Sequence, residues 1–134
     1  MKRLLSITRV PIDEAQLIRE RSISGAIGAV VYFVGTVRAE EGGALISAIE
    51  YEAFLAMAER QFQMLFDQVE ARWPVESIRL VHRLGVVPVS EPSLWVELST
   101  PHRAEAFAAC QYLIDEMKKL VPIWKKPLTT GGAR

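Results

Sequence analysis

Between Leu55 and Trp73 the apolar residues recur at spacings of three and four. Leu55, Ala58, Phe62, Leu65, Phe66, Val69 and Trp73 fall on one stripe of a helix, and Pro74 ends it. A helix with one apolar stripe needs a second layer to cover that stripe. A comparable segment runs from about Pro101 to Leu120, with Phe107, Cys110, Ile114, Met117 and Val121 on its stripe and Pro122 at its end. Around these two helices the chain reads mainly as strands. Leu4 to Val10 is a first strand closed by Pro11, and Asp13 to Arg21 is a short helix with an acidic first turn.

Ala29 to Arg38 is rich in Val, Tyr and Phe and predicts a strand buried on both faces. Glu40-Glu41-Gly42-Gly43 reads as a mobile acidic connection. Leu45 to Ala53, Ser77 to Leu84 and Leu94 to Leu98 alternate apolar and polar residues, the pattern of half-buried strands. Ile123 to Leu128 is a short terminal strand or extended segment before a Gly-rich tail. The order β-α-β-β-α-β-β-α-β, with two long helices and one short one, predicts an α+β domain with an antiparallel or mixed sheet. It disfavours a doubly wound parallel sheet.

The 134 residues suit one domain, 1–134. A chain near that size hides roughly 68–70% of its unfolded surface, enough for a sizeable core. The 16 basic and 16 acidic residues cancel, so the basic excess expected of a nucleic-acid binder is absent. The single cysteine, Cys110, can form no internal disulfide, and no metal-ligand spacing is present. The longest apolar stretch, Ala26 to Val34, is too short for a membrane-spanning helix, and Met1 to Ser6 is a poor signal peptide. These features lead us to expect a soluble, cytoplasmic protein.

Three places can carry chemistry. At Ser99-Thr100-Pro101-His102-Arg103, Thr100 suits an N-cap and Pro101 a first helical position. With His102 and Arg103 beside free backbone N–H groups, a phosphate or carboxylate fits there; on the residues alone a plain helix start with solvated basic side chains is favoured, since most helix starts bind nothing. Lys118, Lys119, Lys125 and Lys126 surround the turn Leu120-Val121-Pro122-Ile123-Trp124. They either complement the helix dipole or hold an anion, with a desolvated lysine as base or nucleophile. Arg38 ends a strand, where functional residues and ordinary surface arginines both occur. His82 shares a face with Leu80 and Leu84 and is read as a packed, hydrogen-bonded histidine. Cys110, on an apolar stripe, is read as inert. Gly131-Gly132 lacks the context of a nucleotide loop. Arg103 and Lys118 stand 15 positions apart on one helix, roughly 22 Å along its axis. They serve either two sites or one site shared between two chains of a symmetric dimer.

Taken together, Gly28-Ala29-Val30-Val31, Phe33-Val34-Gly35-Thr36-Val37-Arg38, Leu80-Val81-His82-Arg83-Leu84-Gly85, Thr100-Pro101-His102-Arg103 with Ala106-Phe107, Lys118, and Pro122-Ile123-Trp124-Lys125-Lys126 resemble one family. It is the MoaE family, the large catalytic subunits of molybdopterin synthase. The resemblance implies an α/β-hammerhead-like fold and a sulfurtransferase of molybdenum cofactor biosynthesis. In that reaction cyclic pyranopterin monophosphate receives two sulfurs and becomes the dithiolene molybdopterin. A small ubiquitin-like subunit supplies them from its thiocarboxylated Gly-Gly terminus. The resemblance implies a homodimer of large subunits within a heterotetramer, pockets shared between the two large subunits, and no cofactor or metal. By position, it makes Lys118 and Lys125 catalytic and assigns Arg38, His102, Arg103 and Phe33 to the substrate pocket. Two features depart from the family pattern. Pro127 stands where a glutamate is usual, and the chain stops at Arg134 where a longer charged tail is usual. A non-catalytic dimer that grips a Gly-Gly tail is the alternative, and a phosphate-ester enzyme built on the Thr100–Arg103 helix start is a third reading.

Overall fold

Prolines set the ends of both long helices. In the computed structural model, which describes residues 1–129, helix α2 (Leu55–Arg72) stops at Trp73 in an extended conformation, φ −136° and ψ 149°. Helix α3 (Arg103–Leu120) stops the same way at Val121, φ −84° and ψ 128°. Each of these residues precedes a proline, whose ring disfavours the helical conformation behind it. The stripe of α2 buries Ala58, Phe62, Leu65, Phe66 and Val69. That of α3 buries Ala106, Ala109, Cys110, Leu113 and Met117. Phe107 was expected on this stripe but lies one position away from it, 61% exposed.

Both helices cover one face of a four-stranded sheet with strand order β1-β5-β7-β2. Its members are β1 (Lys2–Thr8), β2 (Ala29–Thr36), β5 (Ser77–Arg83) and β7 (Pro92–Thr100). The β1–β5 pair is parallel, and β5–β7 and β7–β2 are antiparallel. Ile78, Leu80, Leu94, Val96 and Leu98 point to the helices and form the main core. Truncating one of the large core residues, such as Phe62→Ala, costs about 3–5 kcal/mol in comparable cores.

The opposite face carries Arg79, Trp95 and Glu97, and they are covered rather than solvated. The segment that includes the short helix α1 (Glu14–Arg19) lies across them. Arg79 donates to the Leu17 carbonyl at 2.8 Å and to Glu97 at 2.8 Å. Arg21 donates to the other Glu97 oxygen at 2.5 Å. The alternating strands are therefore buried on both sides here.

A second sheet contains β3 (Glu40–Glu41), β4 (Ala44–Ala53) and β6 (Gly85–Pro88), with β8 (Ile123–Thr129) pairing β4. Its own small core is Val37, Ile46, Ile49 and Val87. The α+β class and mixed pairing are as expected, but the strands divide between two sheets, and β3 and β6 were not anticipated. Three expectations are corrected. Residues 40–43 are not a loose connection: Glu40 pairs Leu45 and Glu41 pairs Ala44 in a tight hairpin. Gly42 and Gly43 occupy its two central positions with φ 59° and 82°, the geometry that favours glycine in two-residue hairpins. Strand β2 is not buried on both faces: Tyr32 and Phe33, neighbours that point to opposite faces, are both exposed. Thr100 does not cap α3. It ends β7, and the cap position belongs to His102.

Pro127 sits on β8 opposite Ile49, on an outer strand of the second sheet. There a missing N–H costs no ladder bond on the open side. No helix among the described residues is long and apolar enough to cross a membrane. The Gly131-Gly132 pair lies outside the described residues.

Candidate functional site

A cavity of about 500 Å³ lies where the two sheets meet the C-terminal end of α3. That size suits a small-molecule ligand. Its walls come from distant parts of the chain. Strand β2 supplies Phe33, Gly35 and Thr36, and Arg38 follows two residues beyond its end. The hairpin strand β3 supplies Glu41, β4 supplies Ile49 and Tyr51, and β5 and β7 supply His82 and Leu94. The last turn of α3 supplies Met117 and Lys118, and the chain past Pro122 returns with Ile123, Trp124 and Lys125. The proline-forced turn after α3 is what brings Lys118 and Lys125 to one cavity.

The charges are uneven. Among the described residues, Arg38, Lys118 and Lys125 face the cavity against a single carboxylate, Glu41. Lys125 Nζ lies 2.7 Å from Glu41 Oε2, and Arg38 Nη2 lies 3.4 Å from Glu41 Oε1. The hydrogen bond from Lys125, together with its charge, holds the Glu41 carboxyl below the usual carboxylate range. Among the described residues no carboxylate pairs with Lys118. Ile49, Leu94, Met117 and Val121 add apolar surface to the wall, and Thr36, Tyr51, His82 and Ser93 add polar groups. The site is therefore suited to hold an anion and to stabilise negative charge that develops in a reaction.

His82 forms part of the wall and is buried. Its Nδ1 lies 2.9 Å from the Arg83 carbonyl. A carbonyl oxygen only accepts, so Nδ1 donates. Burial lowers the His82 pKa, opposed in part by that hydrogen bond, and Tyr51 meets the ring edge to face at 5.3 Å. This is the packed histidine expected from its neighbours. Cys110 is buried too, its thiol pushed up to about 11 by desolvation. It lies outside the cavity wall.

Of the residues singled out beforehand, Phe33, Arg38, Lys118 and Lys125 come together. Lys119 instead pairs with Glu116 at 3.2 Å, and Lys126 lies outside the wall. His102 and Arg103 sit exposed at the far end of α3. The Thr100 hydroxyl donates to the His102 carbonyl at 2.6 Å, which fixes the bend from β7 into the helix. Glu41 was missed as a site residue. The available signal was the Gly-Gly pair behind it, which marks a tight hairpin and so a fixed side chain. Among the described residues no three of His, Cys, Asp and Glu converge in a way that could hold a metal ion.

The sequence profile of the MoaE protein family matches residues 7–120. The human molybdopterin synthase catalytic subunit is 42% identical over 121 residues, covering 90% of this chain and 62% of the human protein. The chain thus spans less than two thirds of that relative's length. The protein of the same name from Staphylococcus carnosus is 38% identical over 133 residues, covering 99% of this chain and 87% of the relative. The crystal structure of molybdopterin synthase from Staphylococcus aureus superposes with a TM-score of 0.85 at 37% identity, covering 95% of this chain and 92% of that one.

Proposed function

The chain belongs to the MoaE protein family, and on that premise we propose that it is the catalytic subunit of a molybdopterin synthase. It transfers sulfur from the thiocarboxylated C-terminus of a small ubiquitin-like subunit to cyclic pyranopterin monophosphate, giving the dithiolene. The observation that carries this reading is the convergence of Arg38, Lys118 and Lys125 on one cavity from three separate stretches of chain.

In this reading the tail of the small subunit enters the cavity with its terminal carbonyl beside Lys118. Lys118 acts there as acid and base or as a transient acceptor. Lys125 positions and polarises the pterin side, and Arg38 and Phe33 line its binding place. The sulfur arrives with the partner protein, so the chain needs no reactive cysteine, and the buried Cys110 agrees with that. The reading calls on no metal or cofactor held by this chain.

Arg103 and His102 hold the substrate phosphate from a neighbouring large subunit. The length of α3 supports this division, since a single chain cannot bring Arg103 to Lys118. Phe107, four positions after Arg103 and so on the same helix face, is a large exposed aromatic of the kind that interfaces bury. The assembly is then a homodimer of large subunits with two small subunits. We place it in the cytoplasm, where a free thiol such as Cys110 persists.

A turnover assay tests the proposal. The purified chain is mixed with thiocarboxylated small subunit and cyclic pyranopterin monophosphate, without added metal, and the dithiolene is quantified. Product supports the synthase. A stable complex without product would sink it in favour of a non-catalytic dimer that grips the Gly-Gly tail.

A further inference from the structure

Among the described residues, the one carboxylate in the cavity wall occupies two of its three cations. Glu41 accepts from Lys125 at 2.7 Å and from Arg38 at 3.4 Å, and its side chain is only 20% exposed. Lys125 and Arg38 are far more open, at 53% and 80%. The carboxylate is thus the anchored member and the cations are the movable ones. The anchoring is built into the backbone. Glu41 pairs with Ala44 across the Gly42-Gly43 turn, and the Ile46 amide donates to the Ala39 carbonyl at 2.9 Å, closing the base of the hairpin.

We propose that Glu41 is a specificity-determining residue of the cavity, an internal anion that occupies Lys125 and Arg38 until a substrate anion displaces it. The inference rests on the cavity being the substrate pocket. An anion that binds through Lys125 must first break the contact between Glu41 and Lys125. An anion that reaches only Lys125 and Arg38 exchanges one set of ion pairs for another and gains little. A substrate that also reaches Lys118 meets a cation that Glu41 does not neutralise. Glu41 therefore lowers the affinity for small bystander anions more than for a ligand long enough to span Lys118 and Lys125. That is discrimination by a repulsive element as well as by attraction.

The test is a titration of the full chain with inorganic phosphate, followed by calorimetry. It compares the wild type with Glu41→Gln and, as an independent neutral variant, Glu41→Ala, with the fold of each checked by thermal melting. Both neutral variants should bind phosphate about two- to fivefold more tightly than wild type, the range that a partly exposed ion pair allows. The gain should vanish when Lys125→Ala is added. Equal or weaker phosphate binding in the folded Glu41 variants overturns the proposal, and so does a gain that persists without Lys125. Because no sulfur transfer is measured, this outcome is separate from that of the turnover assay. A chain that turns over but shows no gain keeps its function and loses this role for Glu41.

Discussion

Arg103 opens the helix whose last turn carries Lys118: α3 runs without a break from Arg103 to Leu120. The two side chains are held roughly 22 Å apart along a rigid axis. If one pocket uses both, two chains must build it. Mixing Lys118→Ala chains with Arg103→Ala chains then restores one intact pocket in each heterodimer. Random exchange of equal amounts should recover about a quarter of wild-type turnover. The check is turnover before and after exchange, with exchange proven by differently tagged chains. No recovery in exchanged samples would refute the shared pocket.

Gly28 should tolerate no side chain. A Cβ there would lie 2.5 Å from the Pro101 carbonyl oxygen, and the Gly28 amide already donates to the Thr100 carbonyl at 3.2 Å. The crowding atom is backbone, so relief requires moving the bend that leads into α3. Gly28→Ala should cost about 1–3 kcal/mol in urea unfolding, the usual range for overpacking. An unchanged midpoint would show that the bend yields freely.

Long-range order was most legible where one pattern persisted. The stripe from Leu55 to Trp73 and the prolines after both long helices place α2 and α3 almost to the residue. The short strands were not visible for physical reasons. Strand β6 has four residues, begins with Gly85 at φ 83° and ends at a proline, so no periodicity can develop. Strand β3 is a pair of glutamates, and its pairing comes from the Gly-Gly turn rather than from β propensity. Burial of Trp95 and Glu97 was not visible either, because the cover comes from residues 17–21, far away in sequence. Within the site, the basic residues around Pro122 stood out as a cluster. Which of them face the cavity depends on the pairing of β8 with β4, and alternation along so short a segment does not settle that.

Glu97 is the pivot of the covered face. It is 3% exposed and bonds both Arg79 and Arg21. Removing it leaves two guanidinium groups facing a poorly solvated space. Losing one partner of such a buried pair costs about 3–5 kcal/mol. Glu97→Ala should show a loss of that order in chemical denaturation. A loss below about 1 kcal/mol would mean that the arginines reach water instead.

Cys110 tests the claim that this chain brings no sulfur of its own. Its thiol is buried, with a pKa pushed up to about 11, so almost no thiolate exists at neutral pH. Native protein should react with a disulfide reagent far more slowly than denatured protein. Cys110→Ala should leave sulfur transfer intact, with at most about 2 kcal/mol lost from the core. Loss of turnover in a folded Cys110→Ala protein would put the thiol back into the chemistry.

His82 makes stability depend on pH in a defined direction. Burial holds its folded pKa below the ordinary 6.5, while the unfolded chain titrates near that value. Between the two values the unfolded state binds more protons than the native state, so stability rises with pH there. The His82 contribution is therefore complete above about pH 6.5 and declines as pH falls below it toward the folded pKa. The paired carboxylates Glu41, Glu70 and Glu76 also have lowered values. Their stabilisation is present above their unfolded value of 4.5 and is lost below it, so a comparison made above that value isolates the His82 contribution from theirs. Glutamine at this position can still donate to the Arg83 carbonyl but does not titrate. Unfolding free energies at about pH 7.5 and about pH 5.5 should differ clearly for wild type and much less for His82→Gln. Equal pH dependence in the two proteins would show that His82 stays as solvated in the fold as in the unfolded chain.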